Sequence, residues 1–170
     1  MTTPSSDLQD INQTSPFIEL YTIDLTAIGG SVYNYTNNVN STGGNIVFGS
    51  TTYAALPIKT EGWDYVSTGQ SPKPTLTLSN VNKTMMSAVI ALGDMVGGKV
   101  TRYRTYEKFL GDSSKFIGPD VYLIEQKIAH NKNFISWQLT SVLDRMGIRL
   151  PRRQCLKDKG FPGISRTRIK

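Results

Sequence analysis

The sequence predicts a mainly β fold, a β-barrel or sandwich with one inserted α-helix at about residues 82–96 and an extended basic arm at the C-terminus. Three observations carry this reading. Short runs of β-branched and aromatic residues recur along the chain, separated by Gly, Asn and Pro turn signals. Pro74-Thr75-Leu76-Thr77-Leu78-Ser79 alternates polar with apolar residues at period two, the pattern of a half-buried strand. In one stretch alone, 85–96, apolar residues recur at helical spacing. A length of 170 residues suits one domain plus a tail, because a chain of that size buries roughly two-thirds of its unfolded surface.

Residues 1–15 are polar and Ser/Thr-rich and read as a flexible N-terminal arm that orders against a partner; residues 16–144 carry the strands and read as the β-barrel domain. Phe17–Asp24 is a first strand stopped by Gly29-Gly30, and Val32–Thr36 is a second. The stretch 36–45 has almost nothing to bury and many residues tolerant of positive φ, so it is a surface loop. Ile46–Phe48, a Gly49-Ser50 turn and Thr52–Ile58 form a hairpin that Pro57 ends. Trp63–Val66 is a further strand candidate, followed by the alternating run 74–79.

Asn80 or Asn82 is placed to cap the helix, whose apolar face comprises Met85, Met86, Val89, Ile90, Leu92 and Val96, and Gly97-Gly98 ends it. Its methionines read as adaptable core filling. Val100–Phe109 is a long strand with Arg102, Arg104 and Tyr106 on one face and Tyr103 and Thr105 on the other. Val121–Ala129 and Phe134–Val142 are joined by the polar turn His130–Asn133. Many strands with one late helix suggest a barrel or sandwich with the helix over one open end.

The net charge of +6 is unevenly placed. Segment 145–170 holds nine basic residues and one acid, a net of +8, which leaves 10 basic and 12 acidic groups, a net of −2, in the other 144 residues. The basicity therefore belongs to an appendage. Its Pro151, Gly160, Pro162 and Gly163 prevent a long helix, so it reads as an extended arm that a neighbouring subunit orders, or as free disorder. Met1–Ile11 has neither the basic nor the apolar part of a secretory signal. The most apolar stretch, Ser87–Val96, is interrupted by Gly93 and Asp94 and is too short to span a bilayer. Synthesis in a cytoplasm and no membrane association are expected. On that basis the N-x-Ser/Thr triplets at Asn12, Asn34, Asn40 and Asn82 are chance matches.

No constellation points to catalysis. The single histidine, His130, falls in the predicted turn, without a second histidine for a metal pair and without a Ser-His dyad. The acids are scattered over different elements, and no phosphate-loop, dinucleotide or nucleophile-elbow motif occurs. A Cys-His peptidase would need Cys155 and His130 together, yet Cys155 lies in the arm. Arg102, Tyr103, Arg104 and Tyr106 interleave cations with aromatics, as an oligonucleotide-binding barrel or a protein interface would.

The ordered set Ile23-Asp24-Leu25-Thr26-Ala27-Ile28-Gly29-Gly30, a Tyr/Asn-rich strand, Ile46–Ile58, Gly62-Trp63, Pro74–Asn80, Met95–Val100 and the strand to Phe109 resembles the minor tail protein L family of lambda-like phages. The resemblance runs through about residues 17–155. It implies a tube- or hub-type β-barrel with one helix and a structural role in the virion. The part implied is a tail tip or baseplate hub component, made in the infected cell and set around the tail channel. Implied partners are the distal tail or ring protein, the central hub or fibre protein, tail assembly proteins and the tape measure protein, with copies of the chain in a homotrimeric ring. Relatives carry a C-terminal domain in which four cysteines hold an iron–sulfur cluster. Leu150–Cys155 resembles its entry, with Cys155 at the first ligand, but the other three are missing, so no cluster is expected and Cys155 is read as a remnant.

The expected contact regions are the loop 36–45, the strand 100–109 and the arm 145–170. The candidate interface residues are Arg102, Arg104, Tyr106, Arg145, Arg149, Arg152, Arg153, Lys157, Arg166, Arg168 and Lys170. The rival reading is a nucleic-acid-binding β-barrel using Arg102, Tyr103, Arg104 and the arm, which salt-dependent oligonucleotide binding would support. Under the first reading no specific nucleic acid is bound.

Overall fold

The computed structural model describes residues 3–10, 12–65, 67, 71–81, 83 and 85–144. The strands are β1 (Phe17–Asp24), β2 (Val32–Thr36), β3 (Ile46–Phe48), β4 (Thr51–Ala55), β5 (Ile58–Glu61), β6 (Thr75–Ser79), β7 (Lys99–Tyr106), β8 (Ile117–His130) and β9 (Phe134–Thr140). They form one nine-stranded sheet in the order β3-β4-β2-β1-β7-β8-β9-β6-β5. The pairs are antiparallel except β2–β4, which is parallel. The fold is therefore mainly β as expected, but the sheet is open and not a closed barrel.

Pro57 explains why its two ends nevertheless lie on one continuous chain. The Leu56 N–H donates to Thr36 O at 2.9 Å, continuing the β4 side, whereas Pro57 O accepts from the Ser79 N–H at 3.0 Å on the β6 side. A proline donates nothing to a ladder, so the strand changes partner there instead of ending. The strand that the sequence predicts to end at Ile58 continues as β5 to Glu61. The candidate strand at Trp63 does not form: residues 62–65 lie outside any strand.

The sheet curls around a main core of Tyr21, Ile23 and Leu25 after β1, Leu76 and Leu78 from β6, Val100 from β7, Ile124 from β8 and Ile135, Trp137 and Leu139 from β9. Alternation along β1 sends Ile18 and Leu20 to its opposite face, where they meet Ile46, Phe48 and Tyr53 of the β3–β4 hairpin in a second core. Both faces of β1 are thus buried.

The helix is shorter than the sequence suggests. α2 spans Met86–Ala91, and a 3₁₀ turn follows at Gly93–Met95. Gly93, Asp94 and Met95 all take positive φ (57°, 64° and 63°), which breaks the helical run. Tertiary contacts hold this break: Trp137 Nε1 donates to Asp94 O at 3.0 Å, and Lys127 Nζ donates to the Asp94 carboxylate. In consequence Met85, Val89 and Met95 are buried while Ile90 and Val96 face outward, contrary to the single apolar face expected. Asn80 does not cap the helix. Its Nδ2 donates to Asn131 O at 2.9 Å and ties the β8–β9 turn to the end of β6.

Before β1, α1 (Pro4–Asp7) forms a single turn with a Thr3/Ser6 capping box. Asp7 is 5 % exposed, and its Oδ2 lies 2.8 Å from Lys108 Nζ. The first residues thereby contact the 3₁₀ turn that follows β7.

Candidate functional site

In the β1–β7 register Tyr21 lies opposite Arg102, Glu19 opposite Arg104 and Phe17 opposite Tyr106, so the alternation read from the sequence puts the three predicted residues on one face. Strand β8 adds Asp120. A register shift between Arg102 and Arg104 in the β7–β8 ladder brings both guanidiniums to that single carboxylate. Gly118 permits the close approach: a Cβ there would lie 3.2 Å from Arg102 O and 3.0 Å from Asp120 N, and its φ is +111°.

Arg102 is 7 % exposed. Its Nε and Nη2 donate to Asp120 Oδ2 at 3.0 and 2.8 Å, Nη1 donates to Glu19 Oε1 at 3.4 Å, and Cζ lies 3.7 Å from the centre of the Trp63 ring. Arg104 Nη2 lies 3.3 Å from Asp120 Oδ2. Two guanidiniums thus meet two carboxylates, and Trp63 covers the face of the first. Tyr21 OH donates to Glu19 Oε2 at 2.7 Å and contacts Thr60 Oγ1 at 2.8 Å, joining β5 to the network. Trp63 stands edge-on to Tyr122 at 5.2 Å, and the Tyr122 hydroxyl lies 3.4 Å from that of Tyr65, which is 79 % exposed.

Burial and the neighbouring Glu19 carboxylate push the Tyr21 phenol well above its ordinary pKa. Burial, then the Tyr65 hydroxyl, does the same to Tyr122. Both phenols are therefore neutral hydrogen-bonding groups of the cluster at ordinary pH.

Arg102 is locked among partners, Arg104 shares Asp120, and Tyr106, 6 % exposed, packs edge-on against Phe17 at 5.3 Å. The face that the sequence presents as a row of cations and aromatics is in the folded chain a neutralised cluster whose outermost ring is Tyr65. Asp120, Glu19 and Trp63 were not legible in the sequence, since they lie 18, 83 and 39 positions from Arg102 and meet it only through sheet order and the path of the loop after β5. The remaining predicted interface residues, Arg145, Arg149, Arg152, Arg153, Lys157, Arg166, Arg168 and Lys170, lie outside the described residues, as does Cys155.

The loop 36–45 is preformed by one side chain. Asn40 Oδ1 accepts from Thr42 N, Thr42 Oγ1 and Gly44 N at 3.0, 2.7 and 2.7 Å, and Asn40 Nδ2 donates to Asn45 O at 3.1 Å. This presents Val39, 58 % exposed, above a groove of about 290 Å³ that also involves Pro16, Ile18, Ile46 and Leu110. His130, expected in a turn, is the exposed last residue of β8. Among the described residues no group of three or more His, Cys, Asp or Glu side chains is placed to hold a metal ion. The sequence has one cysteine, Cys155.

Fold and site together define a β scaffold with an internally neutralised polar cluster and a preformed surface loop. The chain belongs to the phage minor tail protein L family, whose profile matches residues 26–161, and is a structural protein of a phage tail. Tail tip protein L of Escherichia phage lambda is 32 % identical over 108 residues, which is 64 % of this chain and 46 % of that protein. The chain spans about half the length of this relative.

Proposed function

We propose that the chain is a hub component of the tail tip that joins the distal tail ring to the central hub or fibre protein around the tail channel. The observation that carries this reading is the family match over residues 26–161, which begins just after β1 and takes in β2 to β9. The lambda relative's name, a tail tip protein, supports the position. The unit 16–144 serves as the scaffold, and copies of it assemble as a threefold ring. Loop 36–45 and the arm 145–170 make the contacts, while Arg102 and Arg104 stiffen the strand behind them through Asp120. The arm, with a net charge of +8, docks on acidic surfaces of the ring, fibre, tape measure or assembly proteins. The proposal includes no catalytic step, no cluster and no sequence-specific nucleic acid.

A map of the assembled particle tests it. Density for this chain at the distal end of the tail, contacting the ring, is the expected result, and infectious virions lacking the chain would overturn it. Truncation before residue 145 should abolish incorporation while leaving the remaining chain folded.

A further inference from the structure

On the second-core face, away from the Arg102 cluster, lies an open groove of about 450 Å³ between the β3–β4 turn, β1–β2 and the loop that follows β7. Four aromatic residues line it, the half-buried Tyr103 and Phe116 and the buried Phe48 and Tyr53. Tyr103 and Phe116 are fixed edge-to-face at 5.2 Å, and the Tyr53 hydroxyl is held 3.3 Å from Thr22 Oγ1. The rim is pinned as well: the Gly49 N–H donates to Leu110 O at 2.9 Å, and Gly49 lets Ser113 approach where a Cβ would lie 2.6 Å from Ser113 Cβ. Asp112 Oδ1 accepts from Ser114 N and Oγ at 3.0 and 2.6 Å and so shapes the loop bearing Ser113.

The polar complement of the groove is distinctive. Asn34 Oδ1 accepts from the Thr22 hydroxyl, and its amide donors have no partner among the described residues. Among the described residues Ser50, Thr51 and Ser113 have hydroxyls with no hydrogen-bond partner, and no charged side chain lines the groove. The absence of a cation there disfavours phosphate, nucleic acid or an acidic peptide, and the absence of a carboxylate disfavours a basic one. A proline-rich peptide would use the aromatic rings, but its prolines offer only acceptors and would leave the acceptor capacity of three hydroxyls idle. Sugar hydroxyls both donate and accept, and sugar C–H faces stack on aromatic rings, so both halves of the lining are used.

We propose that this groove binds a neutral saccharide, with Tyr103 and Phe116 as the stacking platform and Asn34, Thr51 and Ser113 as hydrogen-bonding groups. The test uses the full chain on an array of neutral oligosaccharides of hexose and N-acetylhexosamine units, with a decaproline peptide alongside. The strongest array ligand is then titrated while backbone amide resonances are followed. The expected result is binding with shifts concentrated at residues 34, 50–53, 103 and 113, and an affinity at least tenfold weaker in Ser113→Trp. Should that variant be unstable, Thr51→Arg, at the half-exposed rim, serves the same purpose. Absence of any neutral glycan ligand, binding unaffected by either rim variant, or binding of decaproline alone would overturn the proposal.

Discussion

Asp120→Ala should reveal how strongly the Arg102 cluster holds the central strands together. The substitution removes both bonds from Asp120 to Arg102, at 3.0 and 2.8 Å, and the 3.3 Å contact to Arg104. Stripping one partner from a buried ion pair costs about 3–5 kcal/mol. Here the Asp120 side chain is 22 % exposed and Glu19 Oε1 stays 3.4 Å from the Arg102 guanidinium, so part of the loss is offset. The expected destabilisation is about 2–3 kcal/mol. Arg102→Met should cost less, about 1 kcal/mol, because Asp120 keeps Arg104 and solvent, and the thioether refills the space under Trp63. Urea unfolding followed by tryptophan emission measures both. Trp63 and Trp137 are the two reporters, one stacked on Arg102 and one in the main core. A loss below about 0.5 kcal/mol for Asp120→Ala at unchanged m-value, or a greater loss for Arg102→Met, would refute the account of the cluster as a buried, mutually dependent network.

Two further outcomes follow from the same geometry. Asp94 holds φ 64° at the end of the helix, so Asp94→Gly should be more stable than Asp94→Ala by about 1 kcal/mol in thermal or urea unfolding, since both lose the Lys127 contact and only alanine keeps the left-handed strain. The raised Tyr21 and Tyr122 phenols are protonated in the folded chain at pH values where the unfolded chain has begun to ionise. Stability should therefore be full below pH 10, the ordinary phenol value, and fall above it, with phenolate absorbance from these two appearing only as the chain unfolds.

Much of the fold was legible because local pattern and global packing agree. β1 and β2 have the bounds that the β-favouring runs and the Gly29-Gly30 turn suggest, since both faces of β1 meet a core and Tyr35 of β2 joins the main one. The helix was overread because 3.6-residue spacing says nothing of a break maintained from elsewhere. Asp94 is placed by Trp137 and Lys127, which come 43 and 33 positions later. Pro57 was read as a stop, whereas its missing N–H falls where the strand changes neighbours, a fact of sheet order alone. The same divide separates the cluster's parts. The shared face of Arg102, Arg104 and Tyr106 follows from alternation, but their capture by Asp120, Glu19 and Trp63 depends on non-local pairing and a bulge. Charge interleaved with aromatics therefore does not say by itself whether the cations are already paired within the fold, as Arg102 and Arg104 are with Asp120.

The two cores bear on where contacts with other tail components gain most. The main core gathers eighteen buried residues from most of the sheet and from α2, while the second has five, three of them from the β3–β4 hairpin. Local stability follows such packing, so this hairpin and the loop 36–45 leading into it rest on the smaller cooperative unit. That unit also leaves Val39 and Val47 58 % and 52 % exposed. Apolar area buried by a partner there adds to the core with the least of its own, at about 25 cal/mol per Å², whereas the Arg102 face already holds its two guanidiniums in ion pairs. Under the tail-tip role proposed above, a neighbouring subunit would gain more apolar burial from Val39 and Val47 on the hairpin side than from the Arg102 face.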